Sequence, residues 1–450
     1  MKRFSYTRVI SILLVLVLSV ALFGCTTTGG ASLNFGDEDE TKNRYVVSVE
    51  LVGGNIVITY SDGATQNLGA SVTHVNNNDI DINLPEGTDN QVVAISRAML
   101  STVGVQCAFT ETYYVVGGGL WPGYTTEDQT VYSYGSGVIY TMDKTEGDAY
   151  IVTNYHVVYD SAAKEENGIS QDIKVYLRGE SETMQATYIG GSPIYDIAVL
   201  RVENSAVLRA SAAEAVNIRN SDSILVGENA YAVGNPEASG ISATAGIVSV
   251  DSEYIQMDAV DGTKGVSFRV IRVDTPINSG NSGGGLYDKK GNLIGIVNAK
   301  VSSSNVENIG FAIPTNVAIA IAQNIIDYHA IDASNTNVCR ALLGITTGIA
   351  SSSMTYDVET GIAGLSQVVK IDDLTETGLA KAAGLEIGYT LCSIQVGERA
   401  VVEINRLHQI IDEMLWAREG NVVTITCLNA AGETIQKSIT ITADALQMYE

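Results

Sequence analysis

A serine framed by glycines is the residue of this chain best placed for chemistry. Ser282 lies in the stretch Asn278–Gly285, which reads NSGNSGGG. Glycines permit positive φ and the close approach of a second backbone, so this serine can present its hydroxyl beside unpaired backbone N–H groups. A nucleophilic serine needs that arrangement, because N–H donors stabilise the oxyanion formed on the attacked carbonyl. The alternative is an ordinary Gly/Ser turn between two strands.

Such a serine needs a base, and the chain has only four histidines. His74 lies in a polar, Asn-rich stretch, whereas His329 and His408 lie on helical patterns, and for these three we expect structural roles. His156 follows the apolar segment Ala149–Thr153, which places it at the end of a strand. His156 is therefore the candidate general base.

A third partner is Asp196, at the start of the apolar run Ile197–Val202. A carboxylate that opens a buried strand is costly unless it is paired, although aspartate is also common in turns such as the one after Pro193. The functional interpretation is a buried carboxylate that orients the histidine ring and stabilises its charged form. The order His156, Asp196, Ser282 is that of the chymotrypsin-like β-barrel proteases.

Seven motifs around these residues follow one another at characteristic spacings. They are GSGVIY at 135–140, TNYHVV at 153–158, DIAVLRV at 196–202, VGNP at 233–236, ATAGIVS at 243–249, DTPINSGNSGGGL at 274–286 and IGFAIPTN at 309–316. By these motifs, residues from about Val92 to Ala330 resemble the protease domain of the HtrA/Deg family of trypsin-like serine proteases. The resemblance implies a mostly β fold with a chymotrypsin-like double β-barrel.

The resemblance also implies a role for each residue. Ser282 Oγ attacks the scissile carbonyl, His156 transfers the proton to the leaving amine, and Asp196 holds the histidine tautomer. The backbone N–H groups of Gly280 and Ser282 form the oxyanion hole. Ser279 and Gly285 stand where the family usually has proline, so we expect a more flexible serine loop.

Substrate recognition is also implied by resemblance. The strand Gly295–Lys300 pairs with the substrate backbone, and Ile296, Val297 and Asn298 line the primary specificity pocket. No acidic residue stands where a trypsin-like pocket requires one. We therefore expect cleavage after small or medium aliphatic residues rather than after lysine or arginine.

Length and charge set wider limits. With 450 residues the chain is long enough for two or three domains. A formal net charge of -25 argues against a nucleic-acid-binding protein, which would present a basic face. The charge suits a soluble, extracytoplasmic protein but does not identify a substrate.

Residues 1–25 are typical of a bacterial lipoprotein signal peptide. Three basic residues fall within the first eight positions, and the apolar run Val9–Phe23 is short for a membrane span. The segment Leu22–Cys25 resembles a lipobox, in which Cys25 is lipidated after cleavage and anchors the protein to the membrane. The alternative is an uncleaved signal anchor with an ordinary Cys25. Both place the catalytic part outside the cytoplasm.

The other four cysteines show no CxxC spacing, so we predict no metal site and no cofactor. Export would permit disulfides. Cys392 and Cys427 both fall in apolar strand candidates of the last domain. They either form a disulfide or remain buried free thiols.

The remaining segments divide the chain into domains. Residues 26–43 read as a flexible tether. Residues 44–90 are typical of a β-hairpin with a third strand. This segment is either a spacer or a cell-surface contact module, and we favour the spacer. The protease domain covers residues 91–330, and residues 331–339 form a linker.

Residues 340–445 resemble an α+β PDZ domain. Its carboxylate-binding loop, which captures peptide C-termini with backbone N–H groups, is formed by Leu342, Leu343, Gly344 and Ile345. Val401–Leu415 is the predicted helix beside the peptide groove.

Together these patterns indicate a cell-envelope serine endopeptidase that acts on misfolded or exported proteins. Aromatic residues within Tyr113–Thr130 and the family resemblance favour a homotrimer. The alternative is a non-catalytic, chaperone-like peptide-binding lipoprotein on a protease scaffold, and retention of all three triad residues argues against it. An active enzyme whose site stays disordered until peptide or oligomer contacts order it is equally compatible with the sequence.

Overall fold

The computed structural model describes residues 46–52, 55–60, 65–76, 79–83, 90–116, 124–178, 182–235, 240–299 and 309–449. The predicted signal peptide with Cys25 and the predicted tether lie outside the described residues. The described chain contains a small N-terminal sheet, two closed six-stranded barrels and a C-terminal α+β unit.

The N-terminal sheet has four antiparallel strands, where the sequence predicted three. The strands are β1 (Val46–Val52), β2 (Asn55–Tyr60), β3 (Thr65–Asn76) and β4 (Asp79–Asn83), paired in that order. The fourth strand was missed because its sequence, DIDIN, is largely polar. Its alternating isoleucines are nevertheless a strand pattern.

The first barrel closes in the order β10-β7-β6-β5-β8-β9. Its strands are β5 (Thr102–Val116), β6 (Tyr124–Asp143), β7 (Asp148–Thr153), β8 (Asp172–Tyr176), β9 (Met184–Ser192) and β10 (Ile197–Val202). Three helices accompany it: α1 (Asn90–Ser101), α2 (Tyr155–Val158) and α3 (Ala206–Ala210).

Strands β5 and β6 run well beyond the barrel as a long hairpin. The apolar pattern of the first strand ends at Phe109 in the sequence, but pairing continues to Val116↔Tyr124. Tyr114 and Tyr124 are each 79% exposed near its end. Polar residues among these aromatics resembled a surface loop, and the cross-strand ladder explains why they form strands instead.

The second barrel closes in the order β11-β12-β13-β16-β15-β14. Its strands are β11 (Asn229–Gly234), β12 (Ser242–Met257), β13 (Val266–Val273), β14 (Gly285–Tyr287), β15 (Leu293–Val297) and β16 (Gly310–Pro314). Helix α4 (Thr315–Ile331) follows and packs over β9 and β10 of the first barrel. Over Ile197–Leu200, where both faces are covered, β10 is a continuous apolar run. The prediction of a mostly β, chymotrypsin-like double barrel is confirmed.

The C-terminal unit is a sheet in the order β18-β19-β20-β22-β23, with β21 paired to β20 and β17 paired to β24. The strands are β17 (Val338–Ala341), β18 (Ile345–Tyr356), β19 (Ala363–Leu374), β20 (Thr390–Val396), β21 (Val402–Glu403), β22 (Val422–Leu428), β23 (Thr434–Thr440) and β24 (Leu446–Tyr449). Its helices are α5 (Leu379–Ala382) and α6 (Leu407–Met414). Cys392 and Cys427 lie on the paired strands β20 and β22 as free thiols.

Helix α6 begins six residues later than the predicted start at Val401. Val402 and Glu403 pair with β20 instead. Gln409 then caps the helix, because its side-chain oxygen accepts from the backbone N–H groups of Asn405 at 2.8 Å and Arg406 at 2.9 Å.

A buried ion-pair cluster joins α6 to the second barrel. The Arg269 guanidinium on β13 lies 3.0 Å from Asp222 and 3.1 Å from Asp412. His408 Nε2 lies 3.1 Å from the same Asp222 carboxylate. Burial raises the pKa of Asp412 to about 7, against the opposing charge of Arg269 and with the help of nearby Asp222 and Glu413. The C-terminal unit therefore contacts the second barrel through a buried ion-pair cluster in which burial of the Asp412 charge is not fully compensated by Arg269.

Asp412→Asn should flatten the pH dependence of stability. The pKa of Asp412 is higher in the folded state than in the unfolded state, so its contribution is full below about pH 4 and is lost as the pH rises towards about 7. The melting temperature of the variant relative to wild type should therefore rise by several degrees across this window, measured by calorimetry. A constant difference between pH 4 and pH 8 would contradict the shifted pKa.

Candidate active site

His156 and Asp196 are in contact, and Ser282 is linked to them through the consecutive residues Asn298 and Ala299. His156 lies in α2 directly after β7, Asp196 lies just before β10, and Ser282 lies in the loop before β14. Strands β7 and β10 pair with Thr153 opposite Ala198. This register places the end of one strand beside the start of the other, so histidine and aspartate are adjacent.

The Asp196 carboxylate is 4% exposed and is held by three hydrogen bonds. Oδ1 accepts from the His156 backbone N–H at 3.0 Å, and Oδ2 lies 2.7 Å from His156 Nδ1. Oδ2 also accepts from Asn298 Nδ2 at 2.9 Å. The hydrogen bond to Nδ1 fixes the tautomer in which Nε2 is free to accept a proton.

Asp196 also has a strained backbone, with φ of 50°. Residues other than glycine are uncommon in this left-handed region, although aspartate tolerates it better than most. The Asp196 carbonyl accepts a hydrogen bond from Asn154 Nδ2 at 2.8 Å. Strain of this kind persists where surrounding contacts over-determine the conformation, and such positions cluster at functional sites.

The Ser282 side chain is buried and engaged by the backbone of the second barrel. Its Oγ accepts from the Ala299 N–H at 3.2 Å. Within the described part of the chain, the His156 ring makes its hydrogen bond to Asp196 and none to Ser282. Catalytic hydrogen bonds are often long in free enzymes and tighten when substrate binds.

The backbone around Ser282 leaves two donors unused. Gly280 has φ of 91°. Among the residues that the structure describes, the N–H groups of Gly280 and Ser282 donate to no protein acceptor. The neighbouring N–H groups of Asn281, Gly283 and Gly284 are all paired. Two unpaired donors on either side of one residue are the arrangement that an oxyanion hole requires.

The predicted pocket residues have other contacts in the structure. Ile296 and Val297 are fully buried in the core of the second barrel. Asn298 is 1% exposed, and its amide binds the Asp196 carboxylate. Their assignment to the specificity pocket stays a prediction; in this structure the side chains of Ile296 and Val297 pack in the core, and that of Asn298 binds Asp196. Lys300, the predicted end of this strand, lies outside the described residues.

One residue of the site, Ser136, was missed from the sequence, and the contact of Asn298 with the triad was not foreseen. Asn298 binds the triad carboxylate, and Ser136 in β6 binds the carbonyls of Gly280 and Ser282 at 2.7 and 2.8 Å. A polar residue in an apolar strand is a usable signal, since it is costly without a partner. The partner itself could not be read from the sequence.

The glycine that replaces a family proline at position 285 is explained by packing. A Cβ at Gly285 would lie 2.3 Å from the ring of Tyr287, two residues along β14. Gly285 also pairs with Val233 and Ile296 in the barrel ladder. Its lack of a side chain thus accommodates a buried tyrosine. Ser279 is exposed in the turn before it.

The C-terminal loop predicted to bind carboxylates contains one left-handed residue, Gly344, with φ of 72°. Leu342 is 40% exposed, and Leu343 is buried in the core of the unit. In the described chain, the N–H groups of Leu343 and Gly344 donate to no protein acceptor. Ile345 begins β18, which is the edge strand of its sheet.

No group of three or more metal-ligating side chains is gathered anywhere in the described ranges. None of the helices there is both long enough and apolar enough to span a membrane.

Gly283→Ala should lower the free energy of unfolding by more than Gly262→Ala, a matched substitution at another glycine with positive φ. Gly283 has φ of 82°, and a Cβ there would lie 2.2 Å from the Ser136 carbonyl oxygen. Gly262 has φ of 95° with nothing within 4 Å of its Cβ position. Gly262→Ala should cost about 1 kcal/mol of backbone strain, and Gly283→Ala about 3 kcal/mol or more through added overpacking. Urea denaturation measures both, and equal losses would refute the crowding.

Comparisons with known proteins find a peptidase domain in this part of the chain. Residues 135–296 match the family model of the trypsin-like peptidase domain. The serine protease Do-like HtrA of Lactococcus lactis subsp. cremoris (strain MG1363) is 26% identical over 367 residues, which cover 75% of this chain and 86% of that protein. The periplasmic pH-dependent serine endoprotease DegQ of Escherichia coli (strain K12) is 34% identical over 266 residues, covering 58% of this chain and 50% of DegQ.

Among solved structures, the HtrA-type protease AlgW with tripeptide is 26% identical, with a TM-score of 0.46 and coverage of 80% of this chain and 98% of that one. The chain is thus similar to HtrA-type serine proteases, and its trypsin-like peptidase domain makes it a serine endopeptidase.

Proposed function

We propose that this endopeptidase hydrolyses peptide bonds of misfolded or exported proteins in the cell envelope, through His156, Asp196 and Ser282. The observation that carries the proposal is the buried Asp196 carboxylate, 2.7 Å from His156 Nδ1. Such a carboxylate has the geometry needed to stabilise an imidazolium formed during catalysis. The unpaired N–H groups beside Ser282 support the same assignment.

The proposed reaction follows from these positions. His156 Nε2 takes the Ser282 proton as Oγ attacks the carbonyl, which requires the serine to leave the Ala299 N–H. The N–H groups of Gly280 and Ser282 bind the developing oxyanion. His156 then protonates the leaving amine, and water repeats the sequence on the acyl-enzyme. Asp196 keeps its charge throughout.

For specificity, we propose cleavage after small or medium aliphatic residues. The support is that Asn298 and Ala299, the described residues directly after β15, carry no acidic side chain. Positively charged side chains would find no partner there.

For recognition, we propose that the C-terminal unit is a PDZ domain that binds peptide C-termini. Strand β18 is the sheet edge beside α6, so an added peptide strand can extend the ladder. The loop from Leu342 to Ile345 offers the unpaired N–H groups of Leu343 and Gly344 for a terminal carboxylate.

For location and assembly, we propose an extracytoplasmic lipoprotein anchored at Cys25. The lipobox-like sequence supports the anchor, and DegQ is named as periplasmic. Homotrimer formation is supported by the exposed tyrosines of the β5–β6 hairpin, Tyr114 and Tyr124. A non-catalytic chaperone role is disfavoured, because nothing would require the costly burial and strain of Asp196.

Cleavage of an unfolded protein such as reduced casein should disappear in Ser282→Ala. Asp196→Asn should lower kcat by about 10⁴-fold with the fold intact, because the wrong tautomer is then favoured. Mass spectrometry of the products gives the residue preference, with aliphatic residues expected before the cut.

His329→Asn serves as the control, since His329 lies on α4 and contacts a backbone carbonyl rather than the triad. It should keep wild-type activity. Cleavage by Ser282→Ala, or full activity in Asp196→Asn, would contradict the proposed triad.

Gly344→Ala should weaken binding of peptides with a free C-terminus at least about tenfold, since a Cβ would lie 2.8 Å from Gly378 Cα and displace the loop. The control is Gly361→Ala, at a similar φ of 71° but with only Tyr356 Oη nearby at 3.9 Å. Fluorescence anisotropy of labelled decapeptides with apolar C-terminal residues measures both. Equal binding of amidated and free-acid peptides would contradict carboxylate capture.

A further inference from the structure

Every polar group of Ser136 has a hydrogen-bond partner, and two of them hold the serine loop. Its side chain is fully buried in β6 of the first barrel. Its Oγ donates to the Gly280 carbonyl at 2.7 Å, and its backbone N–H donates to the Ser282 carbonyl at 2.8 Å. Its own carbonyl accepts from Thr153 Oγ1 at 2.6 Å. One residue thus fixes the carbonyls on both sides of the Asn281–Ser282 peptide.

These two carbonyls belong to the residues whose N–H groups are unpaired. A backbone peptide can rotate so that its N–H and C=O exchange directions, and Gly280 resists this little because it lacks a Cβ. The Gly280 N–H belongs to the Ser279–Gly280 peptide, whereas the carbonyl held by Ser136 belongs to the next peptide, Gly280–Asn281. The hydrogen bond from Ser136 therefore fixes the backbone on the C-terminal side of Gly280, and this fixed neighbour limits how far the first peptide can reorient its N–H. The hydroxyl of Ser136 supplies that bond without itself reaching the reacting atoms.

The hydroxyl is oriented from the opposite side by the second barrel. Ser136 Oγ accepts from the Asn235 backbone N–H at 2.7 Å, so its proton is directed to Gly280. The Asn235 side chain is held in turn by the Tyr176 hydroxyl and by the Gly240 N–H. The chain of hydrogen bonds therefore runs from Tyr176 in β8 through Asn235 and Ser136 to Gly280.

The glycines around Ser136 make this contact geometrically feasible. An added Cβ would lie 2.2 Å from the Ser136 carbonyl oxygen at Gly283, 2.9 Å from its Oγ at Gly234, and 3.1 Å from its Cβ at Gly284. At Gly104, a Cβ would strike the ring of Tyr176 at 2.3 Å. Four glycines thus provide space for one hydrogen-bonded chain.

We propose that Ser136 is a positioning residue for the reaction, whose hydroxyl holds the Gly280 backbone so that the Gly280 and Ser282 N–H groups are available to the oxyanion. The proposal rests on the proposed catalytic function of Ser282. It predicts that Ser136 acts on the transition state, where the oxyanion is formed, and little on ground-state substrate binding. No bond to substrate forms or breaks at Ser136.

Ser136→Ala should lower kcat by roughly 10- to 100-fold with KM nearly unchanged, a smaller loss than removal of an oxyanion donor. Affinity for a peptide aldehyde, whose hemiacetal places an oxygen anion in the hole, should fall by the same factor. The peptide sequence is taken from a mapped cut site, and the corresponding peptide amide should compete equally well with wild type and variant.

The matched control is Ser170→Ala. Ser170 is 2% exposed in the same barrel, and its Oγ donates to backbone carbonyls of Ala108 and Asp172 at 2.8 and 3.1 Å. This variant loses a comparable buried hydrogen bond but should keep kcat and aldehyde affinity. If Ser136→Ala fails to fold, Tyr176→Phe provides a milder change at the other end of the hydrogen-bond chain. Its kcat should decrease by roughly 2- to 10-fold.

The outcomes separate the two levels of the proposal. Wild-type protein that neither cleaves casein nor reacts with a serine-directed phosphonate refutes the proposed function itself. An active wild type with kcat and aldehyde affinity equal in Ser136→Ala and Ser170→Ala refutes the role of Ser136 alone. Equal losses of peptide-amide and aldehyde affinity would show that Ser136 shapes substrate binding instead, and would also overturn the proposal.

Discussion

A buried negative charge sets the relative position of the two barrels. The Asp196 carboxylate is almost excluded from water, and an unpaired charge in such a place is prohibitive. Two of its hydrogen bonds come from His156 in the first barrel, and the third comes from Asn298 in the second. All three can form only when the barrels pack in one arrangement. The same arrangement brings the loop of Ser282 to the seam, the contact between the two barrels. Pairing the Asp196 charge and assembling the site therefore require the same packing of the barrels.

Close packing explains why the seam is rich in glycine. The serine loop and β6 approach so closely that a single methyl group at Gly283 would overlap a carbonyl oxygen. Positive φ and close approach are separate demands, and Gly283 meets both, whereas Gly262 meets only the first. Ser136 occupies the space that these glycines leave. The loop is therefore held by backbone hydrogen bonds and shape more than by side-chain contacts.

The sequence predicted the fold class and the three triad positions because both depend on local patterns. Alternating apolar residues identify strands, and His156, Asp196 and Ser282 stand out by residue type against their surroundings. Contacts across the seam left no such pattern. Asn298 was assigned to a pocket by resemblance, and its bond to Asp196 could not be predicted because the two residues are 102 positions apart. The start of α6 was misplaced because pairing of Val402 and Glu403 with β20 overrides their helical spacing.

The strand pairing at the junction with the C-terminal unit constrains the order of folding. Strand β17 directly follows the protease domain, but its partner β24 is made more than 100 residues later. During synthesis, β17 must therefore stay unpaired while both barrels, whose strands all precede it, are already able to close. A strand edge exposed for that interval is a site for mispairing with other chains. Completion of residues 446–449 ends that exposure and joins the last unit to a protease that is already folded.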